Sequence, residues 1–191
     1  VSWFPKTERR VFDFPDSQLE TLYKLLQTRM DIKNYLFSTE YTVRKLDVKD
    51  ILEIASLYAD TFESYPFPID NPAYIAETMG KYVQYFGAFK KDKLAALASA
   101  EVDFNAKNAE MTDFATHKAH IGHNLSCSLL EMMEYEMQLQ GISTLYTIAR
   151  SVSIPMNKTF LKLGFKYAGT LINNTNIAGK IESMNVFYKH I

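Results

Sequence analysis

From Tyr41 onwards the chain alternates between segments with the two-residue period of a strand and segments with the helical period. Strand-like runs lie at 41–46, 83–89, 94–103, 109–116, 144–150, 165–171 and 184–189. Helical runs lie at 47–62, 72–79, 122–140 and 153–163. The resulting order, β-α-α-β-β-β-α-β-α-β-β, predicts an α/β fold with one mixed sheet and helices on both of its faces.

The first forty residues carry a single helix signal. Ser17 and Glu20 have the spacing of a capping box. They precede an apolar stripe made of Leu19, Leu22, Tyr23, Leu26 and Met30. We therefore expect a helical N-terminal extension at 1–40, the end of a larger N-terminal region, followed by a domain at 41–191. The first residue is Val1, and a charged segment followed by an apolar one is lacking, which indicates a processed or truncated start rather than a signal peptide.

The charge and cysteine content narrow the classes of function. The 21 basic residues nearly balance the 22 acidic ones and are spread along the chain, which argues against nucleic acid or a membrane surface as partner. Cys127 is the single cysteine, and no apolar run approaches the roughly 20 residues that span a bilayer. We expect a cytoplasmic protein that acts on a small molecule, and a homodimer stays open.

Several long stretches have an unusual composition: 63–69 (ESYPFPI), 110–116 (EMTDFAT), 146–150 (YTIAR) and the segment 171–186. Through them, residues 41–191 resemble the GNAT superfamily of N-acetyltransferases, in particular the β-lysine N-acetyltransferases. The resemblance implies the GNAT fold, acetyl-CoA as co-substrate, no metal, and acetyl transfer to the ε-amine of β-lysine or a similar small diamino acid, which makes a compatible solute. A protein or peptide N-acetyltransferase and a non-catalytic acyl-CoA-binding module are the alternatives.

The acetyl-CoA loop of the superfamily reads Arg or Gln, two residues, Gly, one residue, then Gly or Ala. The matching run here, 121–126 (IGHNLS), keeps Gly122 but places Asn124 and Ser126 at the later small positions. Asn tolerates the left-handed backbone and Ser is small, so backbone N–H groups can still face a pyrophosphate at a helix start. The resemblance therefore predicts acetyl-CoA contacts from Phe114, Ala115, Thr116, Gly122, His123, Asn124, Leu125, Ser126 and Ser153.

Glu110 and Tyr146 are the candidate catalytic residues. Glu110 lies eleven positions before Ile121, the spacing of the general base in histone-acetyltransferase members, although a surface glutamate paired with lysine would look the same. Asp113 is the second candidate, on the opposite face if the strand is regular. Phe160 replaces the tyrosine that many members use as general acid, so Tyr146, Tyr167 or water must supply that proton.

An acceptor pocket for a diamino acid needs acidic groups for its ammonium groups and a cation for its carboxylate. The predicted substrate-binding residues are Glu63, Tyr65, Phe67, Arg150, Asn173, Asn174 and Glu182. The polar run 173–176 is either a wall of this pocket or a hairpin connection. The histidines at 117, 120 and 123 repeat every third residue but lie in a loop, so we expect no metal there, and Cys127 is expected to pack in the core.

Overall fold

The computed structural model describes residues 16–27, 40–177 and 179–191. The strands are β1 (Thr42–Lys45), β2 (Val83–Lys90), β3 (Lys93–Asp103), β4 (Asn108–Thr116), β5 (Thr144–Arg150), β6 (Lys166–Ile177) and β7 (Lys180–His190). The helices are α1 (Asp16–Gln27), α2 (Ile51–Thr61), α3 (Pro72–Met79), α4 (Leu125–Leu139) and α5 (Ile154–Lys162). The predicted element order from Tyr41 onwards is confirmed.

All seven strands join one sheet in the order β1-β2-β3-β4-β5-β7-β6. Neighbours are antiparallel except β4 and β5, which are parallel, so the predicted mixed sheet is confirmed. Successive strand residues point to opposite faces of the sheet, so both faces carry apolar side chains, and helices cover each face. One apolar core contains Leu129 of α4 and Phe160 of α5, and the other contains Ile54 of α2 and Ile75 of α3.

The helix predicted in the N-terminal extension is α1, which packs near α5. Leu22 is buried, and Leu26 packs against the core on the α4 and α5 side. Met30 and the side chains of Ser17 and Leu19 lie outside the described residues.

Several predicted boundaries are wrong, among them the start of β7, which lies at Lys180 rather than at Met184. Helix α4 begins at Leu125 rather than at Gly122, because Gly122 (φ 91°) and Asn124 (φ 56°) adopt left-handed backbone that a helix cannot contain. Strand β6 continues to Ile177, so the polar run 173–176 lies inside a strand, at a break in its register with β7. The hairpin reading of that run is therefore wrong, since the connection to β7 lies at 178–179.

An extra residue in β4 separates it from β5. The register between β3 and β4 shifts between Leu97 and Ser99, and Asp113 has a φ of 53°. A bulge of this kind bends the strand that carries it. The ladder between β4 and β5 pairs 108–110 with 144–146 and does not continue along the remainder of the two described strands. The two strands diverge beyond this point, and the gap between them becomes the main cavity of the site.

Candidate active site

A cavity of about 140 Å³ lies where β4 and β5 separate. Its walls include Tyr65 from the α2 side of the sheet and Met156 from α5 on the other side, so the cavity passes through the sheet. The backbone edges of the two diverged strands line it, at 111–114 and 147–150. Two substrates that approach from opposite faces can meet in such an opening.

Glu110 and Tyr146 lie at the closed end of this gap, where they are register partners of β4 and β5. The two side chains are neighbours on one face of the sheet. Burial raises the pKa of Glu110 to about 7, and the negative charges of Glu101 and Asp113 add to the effect. Burial raises the pKa of Tyr146 to about 12, with a further contribution from Glu110. A proton acceptor with a pKa near neutrality therefore lies beside a protonated phenol.

The alternative reading of Glu110 as a surface glutamate paired with lysine is wrong. Glu110 is half-buried, and it makes no ion pair with any residue that the structure describes.

Asp113 lies on the same face as Glu110, not on the opposite one. The bulge breaks the two-residue alternation, so the prediction that assumed a regular strand is wrong. Its carboxylate accepts hydrogen bonds from the hydroxyls of Tyr65 (2.5 Å), Ser99 (2.6 Å) and Thr112 (3.2 Å). Burial nevertheless raises its pKa. Sequence reasoning missed Ser99 and Glu101, because both reach this face through the pairing of β3 with β4.

The backbone at the start of α4 is open at Gly122. Apart from its two chain neighbours, no described residue places an atom within 4 Å of the position that a Cβ on Gly122 would occupy. No side chain in the described ranges caps α4, so its first N–H groups are available to an anion. Asn124 is in the left-handed conformation, as its residue type allows. The Leu125 side chain is buried, so Leu125 can contact a bound anion through its backbone alone. These features fit a pyrophosphate.

His123 is exposed beside Tyr41, with ring centroids 5.5 Å apart, and Ser126 is half-buried in the first turn of α4. The remaining predicted acetyl-CoA residues flank the gap. Phe114, Ala115 and Thr116 follow the last residue pair of β4 with β5, so their backbone edge towards β5 carries no ladder. This free edge is suited to the amide groups of an extended ligand.

Ser153 lines the cavity at the N-cap position of α5, but its side chain makes no capping hydrogen bond. A serine at the start of a helical run is expected to cap the helix with its hydroxyl, and for Ser153 that expectation is wrong. Its carbonyl instead accepts from the buried Asn157 side chain at 2.7 Å. Phe160 is buried, with its ring edge-on to Phe114. Of the two tyrosines considered as proton donors, Tyr167 is bonded to Thr170 (2.6 Å) outside the cavity lining.

The predicted acceptor residues divide into two groups. Tyr65 and Arg150 line the cavity. Glu182 is 4% exposed and accepts from Arg150 Nε (2.6 Å) and Nη2 (2.8 Å). The predicted anion and the predicted cation therefore bind each other, while Nη1 makes no hydrogen bond within the described part of the chain.

The remaining four acceptor candidates lie away from the cavity lining. Glu63, Phe67 and Asn174 are exposed, while the backbone N–H of the half-buried Asn173 donates to Ser183 Oγ (2.9 Å). The loop between α2 and α3 is tied to the β6–β7 connection, because Gly179 N donates to Ser64 Oγ (3.0 Å). This tie brings the two segments with the subfamily's unusual composition to one side of the cavity.

His120 of the three-histidine run is hydrogen-bonded to the Tyr41 hydroxyl (2.9 Å). Across 16–27, 40–177 and 179–191, no three His, Cys, Asp or Glu side chains converge as metal ligands. Cys127 is buried, as expected. No helix in the described ranges is long and apolar enough to cross a membrane.

Comparison with known proteins gives a consistent relationship, although no established family profile matches the chain. The chain is 43% identical to β-lysine N(6)-acetyltransferase of Methanococcus maripaludis strain S2 over 169 residues, 83% of this chain and 62% of that protein. It is 32% identical to N-acetyltransferase YodP of Bacillus subtilis strain 168 over 191 residues, 100% of this chain and 69% of YodP. The chain thus spans about two thirds of the length of these relatives.

The fold has solved counterparts. The ribosomal-protein-S18-alanine N-acetyltransferase from Escherichia coli superposes with a TM-score of 0.68 at 20% sequence identity, covering 79% of this chain and 94% of that one. These relatives and the solved structure are all named N-acetyltransferases, and the opening between β4 and β5 allows two substrates to meet, as acetyl transfer requires. The chain belongs to the family of N-acetyltransferases that includes YodP and β-lysine N(6)-acetyltransferase, and its fold is the GNAT fold.

Proposed function

We propose that the protein is an acetyl-CoA-dependent N-acetyltransferase that transfers acetyl to the ε-amine of β-lysine or a similar small diamino acid. The observation that carries the proposal is the register pair Glu110–Tyr146 at the closed end of the gap between β4 and β5, where burial raises the pKa of Glu110 to about 7. The identity to a β-lysine N(6)-acetyltransferase supports the choice of acceptor.

An amine attacks a thioester as the free base, so an ammonium substrate must first lose a proton. Glu110, with a pKa of about 7, is suited to take that proton directly or through a water molecule. Tyr146 retains its proton at neutral pH and can donate it to the sulfur that leaves. Glu110 and Tyr146 are therefore assigned as base and acid.

Acetyl-CoA supplies the acetyl group as a thioester. The residues proposed to hold it are the N–H groups from Gly122 to Ser126 for the pyrophosphate and the free edge of β4 at 114–116 for the pantetheine arm. Ser153 lies in the cavity wall on the same side as α5. These contacts use backbone more than side chains, which explains how the loop tolerates Asn124 and Ser126.

The acceptor is proposed to enter from the α2 side. Tyr65 covers its alkyl chain, and Arg150, whose Nη1 makes no hydrogen bond with the described residues, lies in the same cavity wall. Acetylation of one amine leaves one ammonium and one carboxylate, so the product has no net charge. A neutral zwitterion of this kind suits a compatible solute.

Turnover assays with acetyl-CoA and β-lysine, lysine or a lysine-containing peptide test the proposal. We expect acetylation of β-lysine with the highest kcat/KM, and mass spectrometry should locate the acetyl group on the ε-nitrogen. Preferential acetylation of the peptide would contradict the choice of substrate. Calorimetric binding of acetyl-CoA without turnover of any amine would indicate a non-catalytic acyl-CoA-binding module.

A further inference from the structure

Three carboxyl groups share the face of the sheet that α2 and α3 cover. Glu101 of β3 and Glu110 of β4 are direct cross-strand partners, and the bulge adds Asp113. We call these three residues the acidic face. Like charges directly opposite each other on neighbouring strands destabilise a sheet. The arrangement is therefore unfavourable unless one carboxyl stays protonated or a cation binds.

The protein itself provides no such cation within the described residues. All the ion pairs there involve other carboxylates. Asp113 is held by three hydroxyl donors and Glu110 lies beside Tyr146, whereas Glu101 makes no hydrogen bond or ion pair with any described residue. Glu101 is half-buried, and its pKa is raised by burial and by the charge of Asp113.

A buried hydroxyl next to the acidic face gives an independent indication of a ligand. Tyr58 is wholly buried, and its hydroxyl has no hydrogen-bond partner among the described residues. Burial is the main cause that raises the pKa of Tyr58, and the charge of Asp113 is the next. The influence of Asp113 and of its donor Ser99 indicates that the Tyr58 hydroxyl lies near both. If a ligand donates to Asp113, the Ser99 hydroxyl can turn towards Tyr58 without losing a partner. The spare hydroxyl thus favours a ligand that donates hydrogen bonds.

An ammonium group has this chemistry, since it carries a positive charge and three donors but no acceptor. We propose that Glu101 binds the non-reacting ammonium group of a diamino acceptor and so determines the preference for diamines over monoamines. The proposal rests on the proposed function. Glu101 lies one strand further from the gap than Glu110, about 5 Å away across the sheet. An alkyl chain of a few carbons can place one amine at Glu110 and the other at Glu101.

The test compares two acceptors on the same enzyme preparation: β-lysine and ε-aminocaproic acid, which is β-lysine without its β-amino group. The full chain, Glu101→Gln and the control Glu53→Gln are assayed at a pH well above 7, so that Glu110 is ionised throughout. Glu53 is an exposed glutamate of α2. We expect the full chain and the control to prefer β-lysine, and Glu101→Gln to reduce that preference about 10- to 100-fold, the range of one charge-assisted hydrogen bond, mainly through KM.

A general loss of active protein cancels in the ratio of the two acceptors, so poor folding of the variant cannot imitate the result. If Glu101→Gln keeps the full preference, or if the unmodified chain uses both acceptors equally well, the role of Glu101 is disproved while the acetyltransferase proposal stands. If the unmodified chain turns over neither acceptor, the proposed function fails and the role of Glu101 fails with it.

Discussion

Glu110 and Tyr146 form the last matched pair of β4 and β5 before the strands separate, and their side chains are neighbours. The parallel ladder fixes both side chains on one face, and the bulge at Asp113 opens the cavity immediately beyond them. A proton acceptor and a proton donor are thereby held at the edge of a gap that two substrates can share.

Replacing Glu110 by Gln tests the general base. A positioned base contributes about 10²- to 10⁴-fold in rate, so kcat should fall at least by the lower factor while acetyl-CoA binding, measured by calorimetry, stays nearly unchanged. Glu53→Gln, the same change at an exposed site, should leave both values unaltered. A normal rate for Glu110→Gln would transfer the role of base to Asp113 or to ordered water.

The pH dependence of kcat/KM should have an acidic limb centred near the Glu110 pKa of about 7, since the base works in its ionised form. The groups near it are the carboxyls of Glu101 on β3 and Asp113 on β4 and the hydroxyl of Tyr146 on β5. Removing like charge by Glu101→Gln should therefore move the limb to lower pH. A limb that does not move would show that Glu101 lies too far away to influence Glu110.

The raised pKa of Glu110 should also make the stability of the folded protein fall as the pH rises. The folded-state pKa of Glu110 is above its ordinary value of 4.5, so its contribution to stability is fully present below about 4.5 and is lost as the pH rises through about 7. Glu110→Gln removes this loss. The Tm of Glu110→Gln minus the Tm of the unmodified chain should therefore be larger at pH 8 than at pH 4.5. A difference in Tm that is the same at both pH values would contradict the raised pKa of Glu110.

Tyr146→Phe separates two roles of the phenol. The nearby Tyr146 hydroxyl lowers the pKa of Glu110, so its removal should shift the acidic limb of the rate profile to higher pH. A fall in kcat at high pH with intact acetyl-CoA binding would identify Tyr146 as the proton donor to the thiolate. Unchanged kcat there would favour water as that donor. Tyr167→Phe, at a tyrosine bonded to Thr170 outside the cavity lining, should change neither quantity.

Gly122→Val tests the pyrophosphate cradle. The open space above Gly122 would be filled by the new side chain, and its φ of 91° would be strained, so calorimetry should show weaker acetyl-CoA binding. Gly141→Val is the matched control, since Gly141 also has a positive φ (75°) and open space but follows the far end of α4. Equal affinity in the two variants would mean that the cradle has been assigned to the wrong segment.

The sequence by itself determined the order of strands and helices, because the hydrophobic period of each segment is a local property. Through its resemblance to the superfamily it also offered Glu110 and the loop at Gly122 as candidates, and Tyr146 as one of several sources of the proton. Asn124 adopts the left-handed conformation that its residue type tolerates.

Only the tertiary structure decided which groups meet at the site. The bulge at Asp113 arises where β4 must match β3, and this mismatch cannot be read from β4 alone. It moved Asp113 to the face of Glu110, and the register of β3 brought Glu101 there too. Likewise, Arg150 and Glu182 are 32 residues apart and became partners through the pairing of β5 with β7. Contacts of this kind depend on strand register, which is set by packing of the whole sheet rather than by local residue patterns.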